Sequence, residues 1–336
     1  MKKYNVAVVG ALGAVGQEMI KTLEQRNFPI NRLKPLDIAS NKGKEVIFKG
    51  EKVLVEVGEK GAFEDIDIAL FSAGGDASLA LAPIAVAEKA VVIDNSSAWR
   101  MDPTVPLVVP EVNPEDLDWN KGLIANPNCS TIQMLVALKP IHDEYTIKRI
   151  VVSTYQAVSG SGQKAIDELS QQAKDYASNK DMVNNVYPYQ IAFNAIPHID
   201  VFMDNGYTKE EMKMVNETKK ILDENIKVSA TTVRIPVFRC HSESINIETE
   251  KDIDLDNVLK LLNAAPGITV EDCPENNIYP IAIKVVGNDD VYIGRIRKDF
   301  SIENGLNMWI VADNLRKGAA LNAVQIAETL VKRNLI

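Results

Sequence analysis

The feature that most constrains the fold is a glycine-punctuated segment near the start of the chain, VAVVGALGAVG. An apolar run at residues 4–9, typical of a buried strand, leads directly into Gly10, Gly13 and Gly16, and the pattern over 14–26 predicts an amphipathic helix behind them. Glycines permit a tight turn and a close backbone approach, and the free N–H groups at the start of the helix favour a phosphate. The segment therefore predicts a dinucleotide-binding β–α unit, although its G-x-x-G-x-x-G spacing departs from the usual G-x-G-x-x-G.

The pattern of alternating strands and helices continues through the first part of the chain. A helix is predicted over 76–90, and short apolar runs predict further strands at 35–39, 67–73, 90–96 and 123–126. Strands that alternate with helices over such distances indicate parallel β–α–β units.

The pattern changes near residue 147, where a long strand is predicted to begin. One bent strand or two strands are predicted over 231–250, and three more over 281–313, from the runs IAIKVVG, YIGRIRKDF and LNMWIVAD. Their spacing favours a mixed or antiparallel sheet in a second domain, followed by a helix at 317–333. Two domains also suit a length of 336 residues.

Charge and residue usage exclude several classes of function. A net charge of -9 argues against nucleic acid or an anionic membrane as the main partner, and no apolar run approaches the ~20 residues of a membrane span. The lysines and apolar run at the start imitate an export signal, but the spaced glycines and the polar continuation QEMIKTLEQR oppose that interpretation. Three separated cysteines without a C-x-x-C pair favour a reducing cytosol, and three cysteines and three histidines without ligand spacing predict no metal site.

The segment after the second predicted strand bears on the choice of cofactor. An NAD-preferring fold places an acidic side chain there, against the ribose. In this chain Asp37 precedes the expected strand end, and Ser40, Asn41, Lys42 and Lys44 follow it, which suits a 2′-phosphate and favours NADP. A solvated turn without a ligand is the alternative.

Cys129 stands in NPNCST, at the predicted start of a helix. The dipole and free amides of a first helical turn lower a thiol pKa and can hold an oxyanion, so this position suits a nucleophile. A buried, inert cysteine is the alternative. Of the other two, Cys240 is predicted in a strand with its side chain opposite to that of its neighbour His241, and Cys273 in a turn without a helix start.

The chain offers three histidines as acid–base groups near neutral pH. His142 at a helix end and His198 in a loop are predicted to be structural. His241 shares a β segment with Arg234, and strand alternation alone would place residues seven apart on opposite faces. A bend at Pro236 would bring both to one site, and the sequence leaves this question open.

Seven segments in order give the chain a resemblance to the aspartate-semialdehyde dehydrogenases over nearly its whole length: GALGAVG, FSAGG, VPLVVPEVN, NPNCST, STYQAVSGSG, RIPVFRCHS and KGAALNAVQIAETL. The chain departs from that family at Leu12, where the loop usually has Thr, and in the segment after the second strand, which is shorter than the usual ASxRSAGK and has no Arg.

The resemblance implies an α/β fold with two domains. A Rossmann-like NADP-binding domain would comprise residues 1–128 together with the C-terminal helix at 315–336. An α+β catalytic and dimerisation domain with a mixed sheet would comprise residues 129–314.

The resemblance also implies roles for individual residues. Cys129 would be the acyl-accepting nucleophile, Gln156 would orient the substrate and His241 would be the general acid and base. The substrate would be held by Arg234 at its carboxylate, by Glu217 at its amino group, and by Arg100, Asn128 and Lys220 at its phosphate. The cofactor would be held by Gly10, Ala11, Leu12, Gly13, Ala14, Val15, Gly16, Ser40, Asn41, Lys42, Ser72, Ala73, Gly74, Ser159, Gly160 and Asn322. Independently, Glu217 and Lys220 fall on one face of a helix that begins with a Thr208–Glu211 capping box.

The implied activity is the NADPH-dependent reduction of L-aspartyl 4-phosphate to L-aspartate 4-semialdehyde and phosphate through a Cys129 thioester. This reaction serves the biosynthesis of lysine, threonine, methionine, isoleucine and diaminopimelate. The expected enzyme is cytoplasmic and a homodimer, with a homotetramer as the alternative assembly, and it has small-molecule partners without nucleic acid or membrane.

Two other functions stay open from the sequence. An N-acetyl-glutamyl-phosphate reductase would need room for a longer acylated substrate and no partner for a free amine. A catalytically silent NADP-binding subunit would have no reason to keep Cys129, Gln156, Arg234 and His241 together.

Overall fold

The structure is a computed structural model that describes residues 2–336. It divides into two compact units. The first consists of the described residues up to Asn128 together with Ala319–Ile336, and the second is Cys129–Gly318. Residues 315–318, which the resemblance placed with the C-terminal helix, group with the second unit.

The first unit begins with ten helices and strands. They are β1 (Tyr4–Val9), α1 (Ala14–Gln25), β2 (Ile30–Asp37), β3 (Glu45–Phe48), β4 (Glu51–Leu54), β5 (Glu56–Val57), β6 (Ile68–Phe71), α2 (Gly75–Ala87), β7 (Val91–Asp94) and β8 (Leu123–Ala125). Six strands form a parallel sheet in the order β5-β2-β1-β6-β7-β8. The near-complete burial of β1 and β6 explains their uninterrupted apolar sequences.

The connections of this sheet reverse direction at its centre. The chain passes from β1 to β2 on one side and later continues with β6 on the other side of β1. The loops that follow β1 and β6 therefore meet at the carboxyl edge of the sheet, where α/β folds bind their ligands.

The strand predicted at 35–39 is wrong in its bounds, since β2 begins at Ile30 and ends at Asp37. Its first half is partly exposed and polar, so it carries no apolar run. The β3–β4 hairpin was not predicted for a similar reason. Buried and exposed residues alternate in β3 and most of β4 is exposed, and neither strand contains a long apolar run.

The second unit contains eleven regular elements. They are α3 (Cys129–Tyr145), β9 (Ile147–Gln156), α4 (Gln163–Ala177), α5 (Lys209–Ile221), β10 (Lys227–Arg234), β11 (His241–Thr249), α6 (Leu255–Ala264), β12 (Ile268–Val270), α7 (Ala282–Val285), β13 (Val291–Asp299) and β14 (Gly305–Ala312). Its sheet has the order β10-β9-β11-β14-β13-β12, with parallel pairs at both edges and antiparallel pairs between them. This confirms the mixed sheet.

The segment predicted over 231–250 forms two strands, β10 and β11, joined by residues 235–240. The strand predicted from IAIKVVG is wrong, because this segment forms the short helix α7. A short apolar run does not distinguish a strand from a helical turn. Here Val285 of α7 packs into a small core with Cys240 and Val311.

The last helix, α8 (Leu321–Lys332), belongs to the first unit and follows a π-helical turn at Arg316–Ala320. It contributes buried side chains to the core that also contains α1, and Arg26 Nε lies 2.7 Å from Glu328 Oε1. No helix within residues 2–336 is long and apolar enough to cross a membrane.

Candidate active site

The glycine loop after β1 packs against the loop after β6. Gly10 has a φ of +79°, and a Cβ on it would lie 2.6 Å from the carbonyl oxygen of Ser72. A Cβ on Gly16 would collide with the carbonyl oxygen of Gly10. Gly13 caps the start of α1, and Gly74, with a φ of +85°, has open space where a Cβ would stand. The backbone thus forms the tight turn and open helix start that a dinucleotide phosphate requires, so these residues fit the predicted cofactor.

The carboxylate of Asp37 stands at the end of β2, which corrects the expectation that it precedes the strand end. Its Oδ2 accepts the Leu12 N–H at 3.1 Å, and its Oδ1 accepts the Ile38 N–H and Asn41 Nδ2, both at 2.8 Å. Asn41 Oδ1 in turn accepts Lys44 Nζ at 2.7 Å. Asp37 thus occupies the position of an NAD-type carboxylate but ties the glycine loop to the turn after β2.

Ser40 and Lys42 are exposed in that turn. Both side chains are accessible for a 2′-phosphate, and their contact with the cofactor stays a prediction. So do the cofactor contacts of Ala11 and Ala73, which lie in the two loops, and of Ala14 and Val15, which lie in the first turn of α1.

Cys129 is the first residue of α3, as the sequence predicts. A Cβ on Gly318 would lie only 2.8 Å from Cys129 Cβ, so the π-helical turn packs directly against the cysteine. Sequence reasoning missed Gly318, although the motif KGAALN contains it. Burial strongly raises the pKa of the Cys240 thiol, which makes Cys240 unsuited to be a nucleophile.

Arg234 and His241 converge although they lie on different strands. Arg234 ends β10, His241 begins β11, and the intervening loop reverses the chain. A Cβ on Gly160 would lie 2.9 Å from Arg234 Nη1 and 3.3 Å from His241 Nε2. Arg234 and His241 therefore face the same site, which strand alternation alone did not predict. Gly160 lies against both side chains.

The imidazole of His241 is fully buried and neutral. The Ala157 N–H donates to Nδ1 at 3.0 Å, so the ring proton resides on Nε2, which has no hydrogen-bond partner. Burial, reinforced by the charge of Arg234, lowers the pKa of His241 to about 3. His241 therefore presents an unused N–H donor beside the arginine.

The guanidinium of Arg234 is buried and only partly satisfied. Nη1 donates to the carbonyl oxygen of Ala157, Cζ lies 6.0 Å from the centre of the Tyr187 ring, and Nε has no hydrogen-bond partner. An orphaned N–H in the interior costs free energy unless a ligand accepts it. The open donors of Arg234 and His241 thus define a site for oxygen atoms with negative charge.

Gln156 ends β9 and links the cysteine helix to α5. Its Nε2 donates to Ser130 Oγ at 3.0 Å and to Glu210 Oε1 at 3.3 Å. Glu210 Oε2 accepts Lys213 Nζ at 2.9 Å, and Lys213 also donates to Asp200 at 2.8 Å. Burial would lower the pKa of Lys213, but the carboxylates of Glu210 and Asp200 outweigh it and hold that pKa above its usual value.

The predicted residues Glu217 and Lys220 lie on the same helix, and their contact with the substrate stays a prediction; Glu210 and Lys213 were not singled out from the sequence. The Thr208 capping box is confirmed at the start of α5. Glu217 lies seven residues beyond Glu210, about 10 Å along the helix at ~1.5 Å per residue, and is buried. The spacing that pointed to the later pair, a glutamate three residues before a lysine, occurs equally at 210–213.

The remaining predicted residues have structural contacts of their own. In the first unit, Arg100 donates to the carbonyl oxygens of Asn126 and Asn95 at 2.9 and 2.8 Å, and Asn322 Nδ2 donates to Asn126 Oδ1 at 2.7 Å. Asn128 is buried. In the second unit, the buried Ser159 Oγ accepts Asn314 Nδ2 at 2.9 Å.

The other two histidines make structural contacts. His142 Nδ1 accepts the Ile147 N–H at 3.2 Å, and the His198 ring stacks on Phe202 with centroids 4.4 Å apart. Among the residues that the structure describes, no group of three or more His, Cys, Asp or Glu side chains is placed to hold a metal ion.

Comparisons with known proteins match both halves of the chain. Residues 5–120 match the NAD binding domain of semialdehyde dehydrogenases, and residues 138–317 match their dimerisation domain. The chain is 60% identical to the aspartate-semialdehyde dehydrogenase of Aquifex aeolicus and 52% identical to that of Bacillus subtilis, over 99% of each protein. It is also similar to the crystal structure of aspartate semialdehyde dehydrogenase II from Vibrio cholerae complexed with ASA, with a TM-score of 0.96 and 49% identity over 99% of both chains.

Proposed function

The chain belongs to the aspartate-semialdehyde dehydrogenase family, and on this premise we propose that Cys129 is the nucleophile and that the second unit supplies the substrate site. The enzyme is an oxidoreductase that acts on the aldehyde group. It reduces L-aspartyl 4-phosphate to L-aspartate 4-semialdehyde and phosphate, in the biosynthesis of lysine, threonine, methionine, isoleucine and diaminopimelate. The single observation that carries the residue assignment is the pair of buried, unpartnered donors, Arg234 Nε and His241 Nε2.

The Cys129 thiolate attacks the carbonyl carbon of the acyl phosphate. The C–O bond to phosphate breaks, phosphate leaves, and a thioester joins the substrate to Cys129. The position of Cys129 at the first residue of α3 supports this step, since the helix dipole stabilises the thiolate there. Bound NADPH supplies the hydride that reduces the thioester carbonyl, after which the C–S bond breaks and releases the aldehyde.

Arg234 holds the carboxylate of the substrate and His241 holds the reacting oxygen. Nη1 of Arg234 is fixed on Ala157, so its Nε edge remains for the ligand. The Nε2–H of the neutral His241 donates a hydrogen bond to the oxygen that gains charge in the tetrahedral species, and it keeps its proton when the C–S bond breaks and the aldehyde forms.

Glu210 and Lys213 take the roles that the resemblance gave to Glu217 and Lys220. Glu210 is the carboxylate in contact with Gln156, so it is placed to meet the substrate amino group while Gln156 orients the acyl group. Lys213 is the cation beside it. Arg100 and Asn128 stay the proposed phosphate contacts from the first unit.

The cofactor is NADP(H), held at the glycine loop and the loop after β6, with Ser40, Asn41 and Lys42 at the 2′-phosphate. The exposure of Ser40 and Lys42 supports this assignment. A cytoplasmic homodimer completes the proposal, supported by three cysteines that form no disulfide and by the match to a dimerisation domain. A homotetramer is the alternative assembly.

The reverse reaction tests this function. Purified protein receives aspartate semialdehyde, phosphate and NADP, and absorbance follows the formation of NADPH. We expect a phosphate-dependent signal that is lost in Cys129→Ala and kept in the control Cys273→Ala. A Cys129→Ala protein with wild-type turnover would refute the assignment, and a wild type that is silent with both NADP and NAD would redirect attention to a reductase of longer acylated substrates.

A further inference from the structure

One fully buried carboxyl group, that of Glu243, has no role in the reaction described above. Glu243 lies on β11 two residues after His241, so the two side chains share a face of the sheet. It pairs with Thr154 of β9 and with Ile310 of β14, so strands cover it on both sides. None of its surface is exposed.

The polar side chains beside Glu243 come from the first turns of α3. Ser130 and Gln133 approach its carboxyl group. Ser130 Oγ already accepts Gln156 Nε2, and Gln133 Nε2 donates to the backbone carbonyl of His241 at 3.4 Å. The titratable groups linked to this cluster are His241 on the same strand, with Arg234 and Glu210 acting on it, and Cys129 next to Ser130; within residues 2–336, no positively charged group acts on the Glu243 carboxyl.

Three oxygen atoms in this cluster lack a hydrogen-bond partner: both carboxyl oxygens of Glu243, and Gln133 Oε1. An ionised carboxylate and an amide oxygen are both acceptors, so they cannot bond to each other. If the Gln133 amide turned to offer its N–H groups to Glu243, its oxygen would face the carbonyl oxygen of His241. One proton on Glu243 removes the conflict, because a carboxylic acid is a donor and an acceptor at once.

We propose that Glu243 is a neutral carboxylic acid and the positioning residue that ties the first turn of α3, and with it Cys129, to Gln156 and to the backbone of His241. The hydrogen bonds then run in one direction. Gln156 donates to Ser130, Ser130 donates to the Glu243 carbonyl, the Glu243 hydroxyl donates to Gln133 Oε1, and Gln133 donates to the His241 carbonyl. The inference rests on the proposed function only in the roles of Cys129, Gln156 and His241.

Burial supports the neutral form, since it raises the pKa of Glu243 well above the usual 4.5 and the nearby polar side chains of Gln133 and Ser130 only partly oppose it. A group whose pKa is higher in the folded state contributes stability below its unfolded pKa and loses it as the pH rises. The wild type should therefore lose stability above about pH 4.5 relative to a variant that cannot ionise at this position.

The decisive variant is Glu243→Gln, whose amide offers the same donor and acceptor as the neutral acid. We expect it to keep kcat and KM within about threefold of the wild type and to be more stable at neutral pH. The infrared difference spectrum between wild type and Glu243→Gln at pH 7 should show the carbonyl band of a protonated carboxylic acid. Loss of activity in Glu243→Gln, or a carboxylate band at pH 7, would overturn the proposal.

Glu243→Leu tests the positioning role without reference to any substrate. It leaves Ser130 and Gln133 without their partner, and we expect the rate at which iodoacetamide alkylates Cys129 to change by about tenfold. Alkylation of Cys273 in the same sample is the internal control, and Glu248→Gln, at a partly exposed position of the same strand, is the matched control variant. An unchanged Cys129 rate in a folded Glu243→Leu protein would overturn the positioning role. Because alkylation and the infrared band need no turnover, they remain informative if aspartate semialdehyde proves not to be the substrate.

Discussion

The turn after β2 and the catalytic floor, by which we mean Arg234 and His241, both contain hydrogen-bonded polar side chains. The two regions differ in whether every donor has an acceptor. In the turn, Asp37, Asn41 and Lys44 satisfy one another at the protein surface. In the catalytic floor, Arg234 and His241 are buried and each keeps an N–H without a partner. The first network is complete by itself, whereas the second is complete only with a ligand.

This difference determines how strongly a substitution in each region should affect ligand binding. Water competes for every group in the exposed turn, so a single change there has a small and graded effect. In the buried floor a lost partner leaves another group unsatisfied, so the effect of one substitution is large. Changes in the two regions should therefore separate by size.

The largest effect among the supporting residues is expected at His241. Asparagine can still accept the Ala157 N–H, but it cannot place a donor where Nε2 stands. His241→Asn should lower kcat by about 10²–10³-fold, the usual cost of removing one donor to a developing oxyanion, with a smaller change in KM. Steady-state kinetics in the reverse direction measures this, and a kcat within a few-fold of the wild type would remove His241 from the chemistry.

Arg234 should show a comparable loss that is concentrated in substrate affinity. Arg234→Lys keeps the charge but has no Nε edge for a carboxylate, which costs about 2–4 kcal/mol, or roughly 10²-fold in kcat/KM. The KM for aspartate semialdehyde should rise while that for NADP stays the same. Equal rises in both would mean that Arg234 supports the fold rather than the ligand.

The buried, neutral His241 should also make the folded protein less stable at acidic pH. The pKa of His241 is about 3 in the folded protein against 6.5 for a free imidazole, so the unfolded chain binds one proton more between these values. This group alone lowers the free energy of unfolding by about 1.4 kcal/mol for each pH unit below about 6.5. Urea titrations at several pH values should show a steeper acid loss for the wild type than for His241→Asn, and identical slopes would contradict a buried neutral ring.

The smallest effect is expected in the exposed turn. Asp37→Asn removes a negative charge near the proposed 2′-phosphate position, so the preference for NADPH over NADH should rise by about tenfold. The same shift should appear when adenosine 2′,5′-bisphosphate and 5′-AMP are titrated by calorimetry, with exposed Asp65→Asn as the control. A change of 10²-fold or more in the preference for NADPH over NADH would show that a substitution in this exposed turn has as large an effect as one in the buried catalytic floor. It would contradict the expected difference between the two regions.

Local patterns predicted the parts of the molecule that depend on local structure. The glycine loop, α1, the helix start at Cys129 and the Thr208 capping box all appear where the sequence placed them. Each requires only neighbouring residues to take a particular conformation, so the chain signals them directly.

Tertiary contacts decided what the sequence left open or misplaced. The motif of a glutamate three residues before a lysine occurs twice on α5, seven residues apart, and the sequence does not show that the first copy contacts Gln156. Nothing in the sequence marks Glu243, which resembles an ordinary polar residue of a half-exposed strand until β9, β14 and α3 enclose it. The meeting of Arg234 and His241 likewise depends on how residues 235–240 turn.

In the proposed reaction Cys129 accepts the acyl group before any reduction takes place. The direct measurement mixes the enzyme with L-aspartyl 4-phosphate in the absence of cofactor, quenches in acid, and combines a phosphate assay with intact and peptide mass spectrometry. We predict one phosphate released and one aspartyl group on the Cys129 peptide for each active site, with neither in Cys129→Ala. Phosphate release that begins only after NADPH is added, with Cys129 unmodified, would contradict the covalent route.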